Sequence, residues 1–241
     1  MNRIIMLCVI VCLLTGCGSD GQNETKKADS VDMETTRLVE TAPSVETAES
    51  LEPESQMNDK TLIAYFTWAD NTQVENPDGI DADATTSASV LVPGNVAQMA
   101  SWIQSEVGGD LFSIQVQDLY SENYDECLER ASEENADNAR PVLSTHVEKM
   151  ENYETIYLGY PNWWYACPMA VLSFIDEYNL EDKNIILFCS HGTGGLAGSV
   201  EAITAELPDS VTISDNVLGV FRSDVSSSEN QVREWARGVN P

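Results

Sequence analysis

Three short stretches of the sequence carry residue types that can hold a ligand. Thr67–Trp68–Ala69–Asp70–Asn71–Thr72 gathers hydroxyls and an amide directly after an apolar run. Hydroxyls and backbone N–H groups at a strand-to-helix turn can bind a phosphate; they can equally cap a helix. Pro161–Asn162–Trp163–Trp164–Tyr165–Ala166–Cys167–Pro168 fixes a Trp pair between two prolines. Such a pair is a rigid apolar wall, suited to stacking on a flat ring or to core packing. His191–Gly192–Thr193–Gly194–Gly195 lets backbone approach a ligand closely and offers N–H donors to ring carbonyls; its bland reading is a turn before a helix.

The elements around these stretches decide whether they can meet. Thr61 to Thr67 is a short apolar run consistent with a buried strand. Val96, Met99, Ala100, Ile103 and Val107 then recur at helical spacing, with Gly94–Asn95 as a start signal and Gly108–Gly109 as a stop. Strand patterns follow at Leu111–Val116, Tyr153–Tyr160, Ile185–Ser190 and within Val211–Phe221. Helical patterns alternate with them at Tyr124 onward, Met169–Tyr178, Gly195–Leu207 and Val225–Arg237. Strands alternating with helices predict a five-stranded, doubly wound parallel sheet in an α/β/α sandwich. Ligands of open parallel sheets bind beyond the carboxyl ends of the strands, and each of the three stretches follows a strand. A phosphate cradle, an aromatic wall and a row of backbone donors on one sheet edge suit a flavin mononucleotide (FMN). A dinucleotide fits less well, because no GxGxxG follows the first strand.

Several motifs together resemble a flavodoxin-like family of bacterial proteins. They are Tyr65–Phe66–Thr67–Trp68, Gly109–Asp110–Leu111–Phe112–Ser113–Ile114, Asn138–Ala139–Arg140–Pro141, Leu158–Gly159–Tyr160–Pro161–Asn162–Trp163–Trp164 and His191–Gly192–Thr193–Gly194–Gly195. The resemblance runs from about Lys60 to the C-terminus and implies strand order 2-1-3-4-5 and FMN as cofactor. The family commonly has a compact Ser-x-Ser-Gly-Asn-Thr phosphate loop. Here Asp70 stands where that loop has Gly, and a polar insertion separates Thr72 from the helix. A second register aligns Gly94–Asn95–Val96 with the Gly-Asn-Thr. The expected site is therefore composite: Thr67, Trp68, Ala69, Asn71 and Thr72 on one side, Gly94, Asn95 and Val96 on the other. Thr85, Thr86, Ser87 or Ser89 would replace lost hydroxyls. Trp163 or Trp164 would cover one flavin face, with Pro161 and Asn162 beside them, and Gly192 to Gly195 would face the pyrimidine edge. His191 would donate to a flavin carbonyl or sit as a turn residue. Cys167 is a small buried filler or a redox-active thiol, and Arg140 fixes a loop.

The N-terminus carries a separate signal. A basic start, an apolar run from Ile4 to Leu14 and Leu14–Thr15–Gly16–Cys17 read as a signal peptide over 1–16 with lipidation at Cys17. Residues 17–59 lack aromatic residues and apolar periodicity and read as a disordered acidic tether, leaving 60–241 as the folded domain. The protein is then expected outside the cytoplasm, lipid-anchored to a membrane face. With 12 basic against 40 acidic residues and a net charge of −28, phosphate-rich partners such as nucleic acids are disfavoured. Anionic lipid would not hold it by charge either, so the membrane contact is the acyl group. Cys127, Cys167 and Cys189 show neither metal-ligand spacing nor a disulfide framework. The expected function is electron transfer with a redox protein or small-molecule donor and acceptor. The alternatives are an FMN-dependent oxidoreductase of the NAD(P)H or quinone reductase type and a flavin-free binding module.

Overall fold

A computed structural model describes residues 60–86 and 89–239. The expected signal peptide, Cys17, the tether over 17–59 and Ser87 lie outside the described residues. The apolar run after Lys60 forms β1 (Thr61–Tyr65). Side chains alternate across a strand, so Leu62 and Ala64 enter one buried cluster and Ile63 enters another. In β3 (Thr155–Pro161) and β4 (Asn184–His191), Ile156, Leu158, Ile185 and Leu187 join the first cluster, while Tyr157, Ile186 and Phe188 join the second. Strands apolar on both faces need covering on both, and these three form the centre of the sheet. Each enclosed aliphatic side chain contributes about 2 kcal/mol by leaving water. Gly159 has a specific reason: any Cβ there would overlap the Phe188 ring on the adjacent strand.

The sheet order is β2 (Asp110–Ser113), β1, β3, β4, then a fifth position, with all pairings parallel. This is the expected 2-1-3-4-5 arrangement. The fifth position is filled by two pieces: β5 (Thr212–Ile213) pairs with the start of β4, and β6 (Leu218–Phe221) with its end. Between them Ser214, Asp215 and Asn216 leave the ladder, as short polar side chains that bond their own backbone tend to do.

Two helical layers cover the sheet. On the second cluster lie α2 (Asn95–Val107) and α6 (Glu229–Val239). On the first lie α3 (Tyr124–Ala136), α4 (Met169–Glu177) and α5 (Ser199–Glu206). The periodic residues of α2 are buried, and Gly108 and Gly109, both at positive φ, end it. A short helix not expected from the sequence, α1 (Ala82–Thr86), lies in the polar segment between β1 and α2. The strand order reverses between β1 and β3. The carboxyl ends of those two strands and of β4 therefore open onto one crevice.

Candidate functional site

At that edge is a cavity of about 290 Å3, near the lower end of the ~300–1,000 Å3 usual for small-molecule sites. Its walls come from the loops after β1, β3 and β4, the start of α2 and one face of α3. Of the expected residues it brings together Thr67, Trp68, Asn95, Val96, Pro161, Asn162, Trp163, Trp164, His191, Gly192, Thr193 and Gly194. Ser89, one of the candidate replacement hydroxyls, also lines it.

One end is polar. Thr67 is 2% exposed and lines this end, and its side chain makes no cap hydrogen bond to the helical turn that follows it. Gly94 caps α2 at φ +77, and a Cβ there would fall onto the Thr67 hydroxyl. Only glycine lets the helix start pass this close to β1. The first N–H groups of a helix lack intrahelical acceptors, so α2 directs its donors here. The Asn95 N–H is held by the Ser89 hydroxyl at 2.8 Å. The Asn95 side chain donates to the Arg222 carbonyl at 3.1 Å. Hydroxyl, glycine turn and helix N-terminus form the donor set that a phosphate needs.

The other end is aromatic. Trp163 pairs with Ala166 through two backbone bonds and puts Trp164 and Tyr165 in a tight two-residue turn, both at positive φ. The Trp163 indole packs edge-to-face on Phe66, Trp68 and Tyr120. Trp164 is 42% and Tyr165 67% exposed. The Trp164 Nε1 donates to the Leu128 carbonyl at 2.7 Å, which ties the turn to α3. The amide of Asn162 donates to the Gly195 carbonyl at 2.7 Å, tying the loop after β3 to the loop after β4. The His191 Nδ1 lies 2.9 Å from the Gly192 carbonyl, and its ring meets Phe221 edge-on. His191 is thus both a turn residue and part of the cavity wall.

Other expected residues are placed elsewhere. Asn71 is fully buried, donates to the Thr67 and Ile114 carbonyls and accepts from the Val116 N–H. The Thr72 hydroxyl donates to the Tyr120 carbonyl. Both side chains hold the segment after β1 to the segment after β2, so they are struts and not cavity donors. Ala69 is buried below Gly94, and Gly195 forms the turn behind the cavity wall. The Thr85 hydroxyl bonds within its own turn, to the Asp81 and Ala82 carbonyls. Asp70 does not line the cavity: its carboxylate accepts from the Ser113 hydroxyl at 2.7 Å, toward β2. Arg140 pairs with Asp176 and Glu206, a loop-fixing arrangement.

Among the described residues the cysteines are free and buried. Burial pushes the thiols of Cys127 and Cys167 up to about 12, and that of Cys189 higher still. At neutral pH they are therefore protonated and poorly nucleophilic. That places Cys167 with the filler reading. Among the described residues no cluster of His, Cys, Asp or Glu could hold a metal ion.

Sequence reasoning missed Arg222, Ser190 and the α3 wall of Tyr124, Cys127, Leu128 and Ala131, all of which line the cavity. It also did not assign Tyr165 to the site. A signal for Arg222 existed: it is one of only 12 basic residues and directly follows the last strand. None of the lining residues is Asp or Glu, although the chain has 40 of them.

Comparison with known proteins agrees with the architecture. No curated protein matches the chain. A protein of Bacteroides eggerthii DSM 20697 assigned as a flavoprotein superposes with a TM-score of 0.55 at 24% identity, over 76% of this chain and 98% of its own. One from Bacteroides uniformis ATCC 8492 gives a TM-score of 0.56 at 22% identity, over 74% and 97%. At these identities the likeness is one of fold. A flavoprotein of Lactobacillus acidophilus NCFM, solved in complex with FMN, is further away, with a TM-score of 0.48 at 19% identity over 72% and 97%. A flavodoxin family profile matches residues 84–239. With the strand order, the reversal crevice and this match over more than half of its length, the chain belongs to the flavodoxin family.

Proposed function

We propose that the domain binds FMN in this cavity and serves as an electron carrier. The observation that carries the reading is the Thr67 hydroxyl lining the cavity beside a helix start that only glycine can form. A hydroxyl beside a helix N-terminus complements a phosphate oxygen. Thr67, Ser89 and the first amides of α2 hold the phosphate. Trp164 and Tyr165 bound the flat ring, and the Gly192–Gly194 backbone offers N–H groups to its polar edge. Asn162 positions that backbone through Gly195. Bound FMN supplies the redox chemistry, and the protein supplies orientation and field.

The proposal includes an extracytoplasmic setting, with Cys17 lipidated and the domain held at a membrane face. Among the described residues no helix is long and apolar enough to cross a membrane, and the lipobox-like Leu14–Thr15–Gly16–Cys17 supports an acyl anchor. The test is the visible spectrum of the purified protein, with the bound flavin identified after release. A colourless protein that takes up no added FMN would sink the reading. Anaerobic mixing with NADPH then separates carrier from oxidoreductase: rapid bleaching of the flavin would replace the carrier assignment. Mass analysis of the N-terminus checks the anchor.

A further inference from the structure

We infer that Arg222 is the phosphate-selecting residue of this site, the cation that makes the cavity prefer FMN over unphosphorylated flavin. The inference rests on the FMN reading above. Arg222 follows β6, lines the cavity, and is the only Lys or Arg among the lining residues. Its backbone is fixed at both polar groups: the N–H donates to the His191 carbonyl at 2.8 Å, and the carbonyl accepts from the Asn95 amide at 3.1 Å. Asn95 is the first residue of α2. Arg222 is thereby clamped beside the same helix start that Thr67 and Gly94 define.

The charge pattern separates Arg222 from the other described arginines. Arg130 pairs with Asp118 and Glu134, Arg140 with Asp176 and Glu206, and Arg233 and Arg237 with Glu106. In a chain of net charge −28, carboxylate partners are abundant. Yet among the described residues the Arg222 guanidinium has none, and the cavity that it lines contains no carboxylate. Its guanidinium lies against Gly192, where a Cβ would come within 3.0 Å of a terminal nitrogen. The ring of Phe221 lies 6.0 Å from its centre. An acidic domain repels a phosphate at long range. A guanidinium held in a carboxylate-free pocket reverses that locally, and its fork matches phosphate geometry. It also supplies what the interrupted loop lacks. Val96 stands where the family's loop carries a Thr hydroxyl, and Asn71 and Thr72 are committed elsewhere.

The test is a fluorescence titration of the full-length, flavin-stripped protein with FMN and with riboflavin, using the wild type, Arg222→Gln and Arg222→Lys. The wild type is expected to prefer FMN. Arg222→Gln should weaken FMN binding roughly 10- to 100-fold, the range for a lost hydrogen bond to a charged group, while leaving riboflavin binding unchanged. Arg222→Lys should recover part of the FMN preference, and high salt should erode it in the wild type. Equal losses for both flavins would place Arg222 on the ring or in the scaffold and overturn the inference. An unaltered FMN-to-riboflavin ratio in Arg222→Gln would overturn it too, with the FMN reading intact. A wild type that binds neither flavin removes the FMN reading and the inference with it.

Discussion

The segments after β1 and after β3 reach the same cavity in opposite ways. Residues 66–94 are rich in polar side chains, and those nearest β1 are mostly buried. Asn71 and Thr72 use their side chains to hold the neighbouring segment in place. Residues 162–168 are short and aromatic, and here the large rings of Trp164 and Tyr165 are exposed. Buried polar and exposed apolar groups are the informative departures from ordinary protein surfaces. In this molecule the first kind is mostly scaffold and the second mostly contact. Thr67 is the exception: it is buried yet lines the cavity, where Thr72 is paired with Tyr120.

The contrast breaks first at Asn71. Asn71→Ala should destabilise the flavin-free protein by about 3–5 kcal/mol, since three buried backbone groups lose their partner; urea unfolding measures it. A loss under ~1 kcal/mol would mean that Asn71 is no strut. The Trp pair divides next. Trp163→Ala should cost about 2–3 kcal/mol of stability, below the range for a fully enclosed ring because Trp163 is half-buried. Trp164→Ala should change stability by less than ~1 kcal/mol and weaken FMN binding about tenfold, as loss of one stacking ring does. Reversed effects in unfolding and binding titrations would exchange their roles. Thr67→Val keeps shape and removes the hydroxyl that lines the cavity. FMN affinity should fall about five- to tenfold, the range for one lost hydrogen bond, while flavin-free stability changes by less than ~1 kcal/mol. Asp70→Asn should alter FMN affinity less than about twofold, since its carboxylate is engaged by Ser113 away from the cavity. A large gain in affinity would show that Asp70 does oppose the phosphate.

Much of the fold was legible because period-2 and period-3.6 apolar patterns are dictated by burial. The β1, β3 and β4 runs and the Val96–Val107 stripe all came through with small boundary shifts. The break between β5 and β6 was not legible, because a polar interruption of a strand and a mere exposed face look alike in sequence. The meeting of Gly94–Asn95–Val96 with the segment after β1 was readable. Which hydroxyls line the cavity was not. Thr67 and Thr72 are the same residue type five positions apart, and only the path of the neighbouring segment decides that one is paired with Tyr120 and the other lines the cavity. Arg222 escaped because its role depends on a partner that is missing, which no local pattern reports.

The turn at Trp164–Tyr165 has a further consequence. Left-handed backbone is native to Gly and Asn, and bulky side chains there cost about 1–2 kcal/mol each. An Asn-Gly pair would close the same turn with less strain. Selection for stability alone would therefore delete both rings, and their presence marks a spot where the chain gives up robustness for a contact surface. Trp164→Asn combined with Tyr165→Gly is thus a route to a sturdier protein, at the expense of the aromatic cavity wall.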